Sequence, residues 1–71
     1  MAYKASNLEL FKKSLELLPS IVKTRNEASK NTMYKCSTTG LIVNVFDTTT
    51  VNFQGNTTKG KDLMDKLIGL L

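Results

Sequence analysis

Between Gly40 and Gly55 the chain alternates apolar and polar residues with a period of two. Leu41, Val43 and Val45 mark one side of a first run; Val51 and Phe53 mark one side of a second. β-Branched and aromatic residues in alternation are the pattern of strands, and the short polar segment between them, from Asp47 to Thr49 or Thr50, is that of a hairpin turn. Cross-strand partners share a face. A loop over 47–49 therefore predicts Val45 opposite Val51 and Val43 opposite Phe53, one continuous apolar face. The reverse face then carries Ile42, Asn44, Phe46, Thr50, Asn52 and Gln54. Mixed faces are ordinary on antiparallel sheets, but amides around an aromatic can also hydrogen-bond and stack, as a recognition surface must.

On either side of this hairpin the period becomes helical. Leu8, Phe11, Leu15 and Leu18 form a stripe, widened by Leu10 and Leu17, and predict a helix over 6–18. Ser6 followed by Glu9 has the spacing of a capping box, and Pro19 either closes the helix or opens a short second one as its first residue. Leu63, Met64, Leu67, Ile68 and Leu71 predict a second helix over 59–70, capped by Thr57 or Thr58. Between the first helix and the hairpin, Ile21 and Val22 anchor the chain, and the polar stretch 23–32 reads equally as loop or frayed helix. Met33–Thr38 is a strand with Tyr34 and Cys36 on one face and Met33, Lys35 and Ser37 on the other. The expected architecture is α+β: a three-stranded antiparallel sheet (33–38, 41–46, 50–55) with both helices on one face.

Composition narrows the chemistry. Seventy-one residues are expected to make a single domain with a thin core, which association into a homodimer would relieve. The lone Cys36 excludes an intrachain disulfide, and with no histidine the commonest general base and metal ligand are missing. No enzyme, metal or cofactor is expected. No signal peptide and no apolar run of roughly 18 residues is visible, so a cytoplasmic location is expected. The net charge of +4 suits a phosphate-rich partner, and Lys23, Arg25 and Lys30 can touch a phosphate backbone.

Residues 55–62, Gly-Asn-Thr-Thr-Lys-Gly-Lys-Asp, match a phosphate-binding loop except at the last position. There Asp62 replaces the hydroxyl that would ligate magnesium. The chain is also too short for the parallel sheet such nucleotide hydrolysis needs. A helix start beside Lys59 and Lys61 remains a place where one phosphate can rest.

The pattern Gly40-x-Ile42-x-x-Val45-Phe46-x-x-x-x-Val51-x-Phe53-Gln54-Gly55 resembles the hairpin of the N-terminal substrate-binding domain of ribonuclease HIII, itself similar to half of the TATA-box-binding protein. Thr48-Thr49-Thr50 stands where that family usually has Ser-Gly-Lys. The resemblance implies a half-saddle whose concave sheet face meets nucleic acid. It implicates Asn44, Phe46, Asn52 and Gln54, with Phe46 packing on sugars or bases. The expected function is thus non-enzymatic binding of DNA, RNA or an RNA–DNA hybrid, with Lys35, Lys59 and Lys61 contacting phosphates. The alternative is a protein-interaction module, such as a phage- or plasmid-encoded inhibitor, using the same face or an exposed strand edge.

Overall fold

The fold was obtained as a computed structural model that describes residues 2–71. In chain order its elements are β1 (Ala2–Lys4), α1 (Leu8–Glu16), β2 (Ile21–Asn26), β3 (Asn31–Cys36), β4 (Leu41–Phe46), β5 (Thr50–Gly55) and α2 (Lys61–Ile68). The strands form one antiparallel sheet in the order β1-β5-β4-β3-β2. The α+β class holds, but the sheet has five strands where three were expected, so the three-stranded half-saddle is corrected.

The central hairpin has the predicted register, with Val45 opposite Val51 and Val43 opposite Phe53. The additional strands flank it. β2 pairs with β3 along its whole length, from Ile21 opposite Cys36 to Asn26 opposite Asn31. Asn26 Oδ1 accepts the backbone N–H groups of Ala28 and Ser29, which folds the polar stretch into a turn. This pairing also moves β3, which runs from Asn31 to Cys36 instead of over 33–38. β1 joins the opposite side, with Tyr3 opposite Val51 and its ring edge-on to Phe53 at 5.4 Å between centroids.

The core lies under one face. Tyr34, Leu41, Val43, Val45 and Val51 from the sheet are fully buried with Phe11 and Leu15 of α1. Leu67 is the buried anchor of α2, and Leu63, Met64 and Ile68 pack around it. Both helices therefore cover the same side of the sheet. Leu10 and Leu17 do not widen the α1 stripe: they are 55% and 84% exposed, because the helix meets the sheet along a narrow strip centred on Phe11 and Leu15.

The helix ends also differ from expectation. α1 starts at Leu8, so Asn7 is its cap and accepts the Leu10 N–H at 3.1 Å. Ser6, outside the helix, instead donates to the Leu71 carbonyl at 3.2 Å. α2 spans Lys61–Ile68 and has no side-chain cap. Its first turn is seated on β4: a Cβ on Gly60 would come within 2.7 Å of Leu41 Cβ, so only glycine lets the two backbones approach this closely. Among the described residues no helix is long and apolar enough to cross a membrane.

Candidate functional site

The side of the sheet turned away from the helices is open, and the strand register assigns its occupants. One cross-strand row runs Thr24, Met33, Asn44, Asn52. The next, two residues along, holds Asn26, Asn31 and Phe46. On the other side of the first row lie Val22, Lys35, Ile42 and Gln54. Rows two residues apart are separated by roughly 7 Å, so neighbouring rows are within reach of long side chains. Asn44, Phe46, Asn52 and Gln54, the residues singled out by alternation, share one shallow depression of about 290 Å³ with Asn31 and Met33.

Carboxamides are wired together across this depression. Asn31 Nδ2 donates to Asn44 Oδ1 at 3.2 Å, and Asn44 Nδ2 donates to Gln54 Oε1 at 3.0 Å. The chain of bonds crosses β3, β4 and β5 diagonally and has a fixed sense, from Asn31 towards Gln54. Asn44 is held at both its oxygen and its nitrogen and is only 8% exposed, so it is a strut more than a free contact. Asn31 is 7% exposed, yet its Oδ1, itself buried, has no hydrogen-bond partner among the described residues. Phe46 is half-buried on this face, outside the apolar core.

The cationic residues divide. Lys35 is exposed and opposite Ile42, so it stands on the open face. Lys59 and Lys61 are not brought there: they precede and begin α2, which lies over the covered face. Lys61 donates to Asp65 at 3.0 Å, and that bond raises its pKa. Arg25 and Lys23 also project to the helix side, since their partners in β3 are the buried Thr32 and Tyr34. There Lys23 meets Glu16 at 3.4 Å, and Arg25 meets Asp47 and Glu27, each at 2.9 Å. Lys4, opposite Thr50 in β1, joins the open face.

Cys36 borders a separate apolar cavity of about 230 Å³ with Leu18, Pro19, Ile21 and Leu63. The Thr38 hydroxyl, 3.1 Å from its sulfur, and that of Thr39 draw the thiol down to about 7 against the opposing effect of burial. Cys36 remains a buried strand residue on the core face.

Sequence reasoning missed Asn31, Met33's neighbours in β2, and Lys4, because the strands that align them were not foreseen. Asn31 carried one usable signal, its even spacing from Met33 and Lys35, which puts all three on one face if the strand is extended. Comparison of the chain with protein-family models, curated proteins and solved structures yields no match.

Proposed function

We propose that this protein is a non-enzymatic binding module for single-stranded nucleic acid, with the open sheet face as its contact surface. The observation that carries the reading is the gathering of Phe46, Asn52 and Gln54 around a depression that neither helix covers. The half-buried Phe46 ring offers a base a stacking partner, and the amides of Asn52 and Gln54, the latter through the NH2 group its bond with Asn44 leaves unused, can grip sugars, phosphates or base edges without demanding one sequence. Lys35 and Lys4 lie on the same side and supply phosphate contacts. The resemblance of residues 40–55 to the ribonuclease HIII hairpin points to the same face.

The test is fluorescence anisotropy with labelled single strands, duplexes and RNA–DNA hybrids at low salt. Single strands should bind, affinity should fall steeply with salt through counterion release, and Phe46→Ala should weaken binding about tenfold or more, the magnitude of one lost stacking contact. No binding to any of them at low salt sinks the reading. A protein partner is the second reading, favoured by the six-residue edge strand β2, whose outer edge is unpaired among the described residues and whose Val22 is 57% exposed. Such a partner would be held with little salt dependence.

A further inference from the structure

The carboxamide chain ends on an exposed residue, and it fixes what that residue can offer. Asn31 Nδ2 donates to Asn44 Oδ1 at 3.2 Å, and Asn44 Nδ2 donates to Gln54 Oε1 at 3.0 Å. Its sense follows from the buried end. Run the other way, the chain would leave an Asn31 NH2 group, two donors, without an acceptor where a single oxygen now lacks a donor. Gln54 is exposed, and the bond with Asn44 uses its oxygen and leaves its NH2 group. Gln54 therefore meets a ligand with N–H donors. The bidentate pairing of glutamine with adenine needs the amide oxygen as well as the NH2 group, whereas guanine shows two acceptors, O6 and N7, on the same edge.

The same bond sets where those donors stand. Asn44 lies two residues from Phe46 in β4, so their rows are roughly 7 Å apart. With its oxygen held at Asn44, the Gln54 carboxamide comes within about one row of the Phe46 ring, and all three residues line one depression. A single base lying on the ring spans that gap. None of the described residues lining the depression is charged, and Lys4 and Lys35 stand outside it. It suits an uncharged base, with the phosphates left to the lysines.

We propose that Phe46 and Gln54 form a subsite for one unstacked nucleobase that presents a carbonyl oxygen to the Gln54 NH2 group. The subsite rests on the sheet-face reading above but goes further, because stacking and phosphate contacts are indifferent to the base edge. Adenine, with an amino group where guanine has its carbonyl, sets donor against donor. Asn44 is a positioning residue: its bond to Oε1 keeps the NH2 group of Gln54 turned to the ligand.

The experiment compares oligo-deoxyinosine with oligo-deoxyadenosine of equal length, as single strands on the full chain at low salt. The two purines share ring, sugar and phosphate; hypoxanthine carries a carbonyl at C6 and adenine an amino group. The inosine oligomer should bind about fivefold tighter, the size of one hydrogen bond gained. In Gln54→Met the two should bind alike. In Asn44→Leu, checked for folding by circular dichroism, the ratio should also fall towards one although Gln54 is intact, whereas a merely structural role would weaken both oligomers equally. If Asn44→Leu does not fold, Gln54→Met, at an exposed position, decides alone. Equal binding to the unaltered chain, tighter binding of the adenine oligomer, or a ratio that survives Gln54→Met overturns the subsite and leaves the sheet-face reading standing. Binding of neither oligomer overturns that reading and the subsite with it.

Discussion

Arg25 and Asp47 face each other through two parallel hydrogen bonds of 2.9 Å each, Nη1 to Oδ1 and Nη2 to Oδ2. Arg25 belongs to the edge strand β2, and Asp47 begins the turn between β4 and β5. The pair therefore reaches past β3 and ties the edge strand to the central hairpin on the helix side. The guanidinium holds the Asp47 carboxyl below its ordinary range, with Lys12 and Lys30 adding smaller pulls in the same direction.

This gives a signed pH dependence. A carboxyl whose folded pKa is depressed contributes stability above its unfolded value, near 4, and that contribution disappears as pH falls through the lower folded value. Urea midpoints measured at about pH 5 and about pH 3 should therefore drop further for the native chain than for Asp47→Asn. Equal drops would mean that the pair is absent in solution.

Tyr34 offers the opposite kind of test. Its side chain is fully buried and its hydroxyl has no hydrogen-bond partner among the described residues. Burial, followed by the nearby charges of Glu16 and Glu9, raises its pKa. Tyr34→Phe keeps the packing and removes the unsatisfied group, so it should leave stability unchanged or raise it by about 1 kcal/mol. Stability of the native chain should also fall above about pH 10, where the unfolded tyrosine ionises before the folded one, and the Phe variant should lack that contribution. A Phe variant clearly less stable than the native chain at neutral pH would show that the hydroxyl is satisfied.

Thr49 turns the central hairpin with φ +72°, a left-handed conformation disfavoured for a β-branched residue. It closes the three-residue loop by donating its N–H to the Phe46 carbonyl at 3.0 Å. Thr49→Gly should therefore stabilise the fold by about 1 kcal/mol in urea denaturation, with the unfolded glycine's extra freedom offsetting part of the relieved strain. At Gly55, also at positive φ (+74°), a Cβ would strike the Gly40 carbonyl, so Gly55→Ala should destabilise. A neutral Gly55→Ala would show that the β3–β4 turn yields easily.

The contrast between these residues explains what could be read from the chain. Leu41 to Gln54 was legible, with register and open-face residues, because alternation against a buried core leaves one register that works. β2 was not, since only Ile21 of its six residues is even partly buried. After Ile21 its helix-side positions are Lys23 and Arg25, which reach Glu16 and Asp47, so no apolar period marks it. β1 is three residues long, and Tyr3 packs against the core from it. Without those strands the site lacked its buried end: Asn31 and Thr32 fell in the stretch that reads equally as loop or frayed helix, although both are buried in β3.

The separation of the lysines by face yields the last prediction. Lys35 stands on the open face beside the depression, whereas Lys61 begins the helix on the other side and is engaged with Asp65. If nucleic acid lies on the open face, each phosphate-contacting lysine adds about one unit to the slope of log affinity against log salt. Lys35→Gln should reduce that slope by about 1 and weaken all single strands alike, since a phosphate contact carries no sequence information. Lys61→Gln should leave both slope and affinity unchanged. The reverse result, a smaller slope with Lys61→Gln and none with Lys35→Gln, would move the contact to the start of α2, where the near-match to a phosphate-binding loop lies, and away from Phe46.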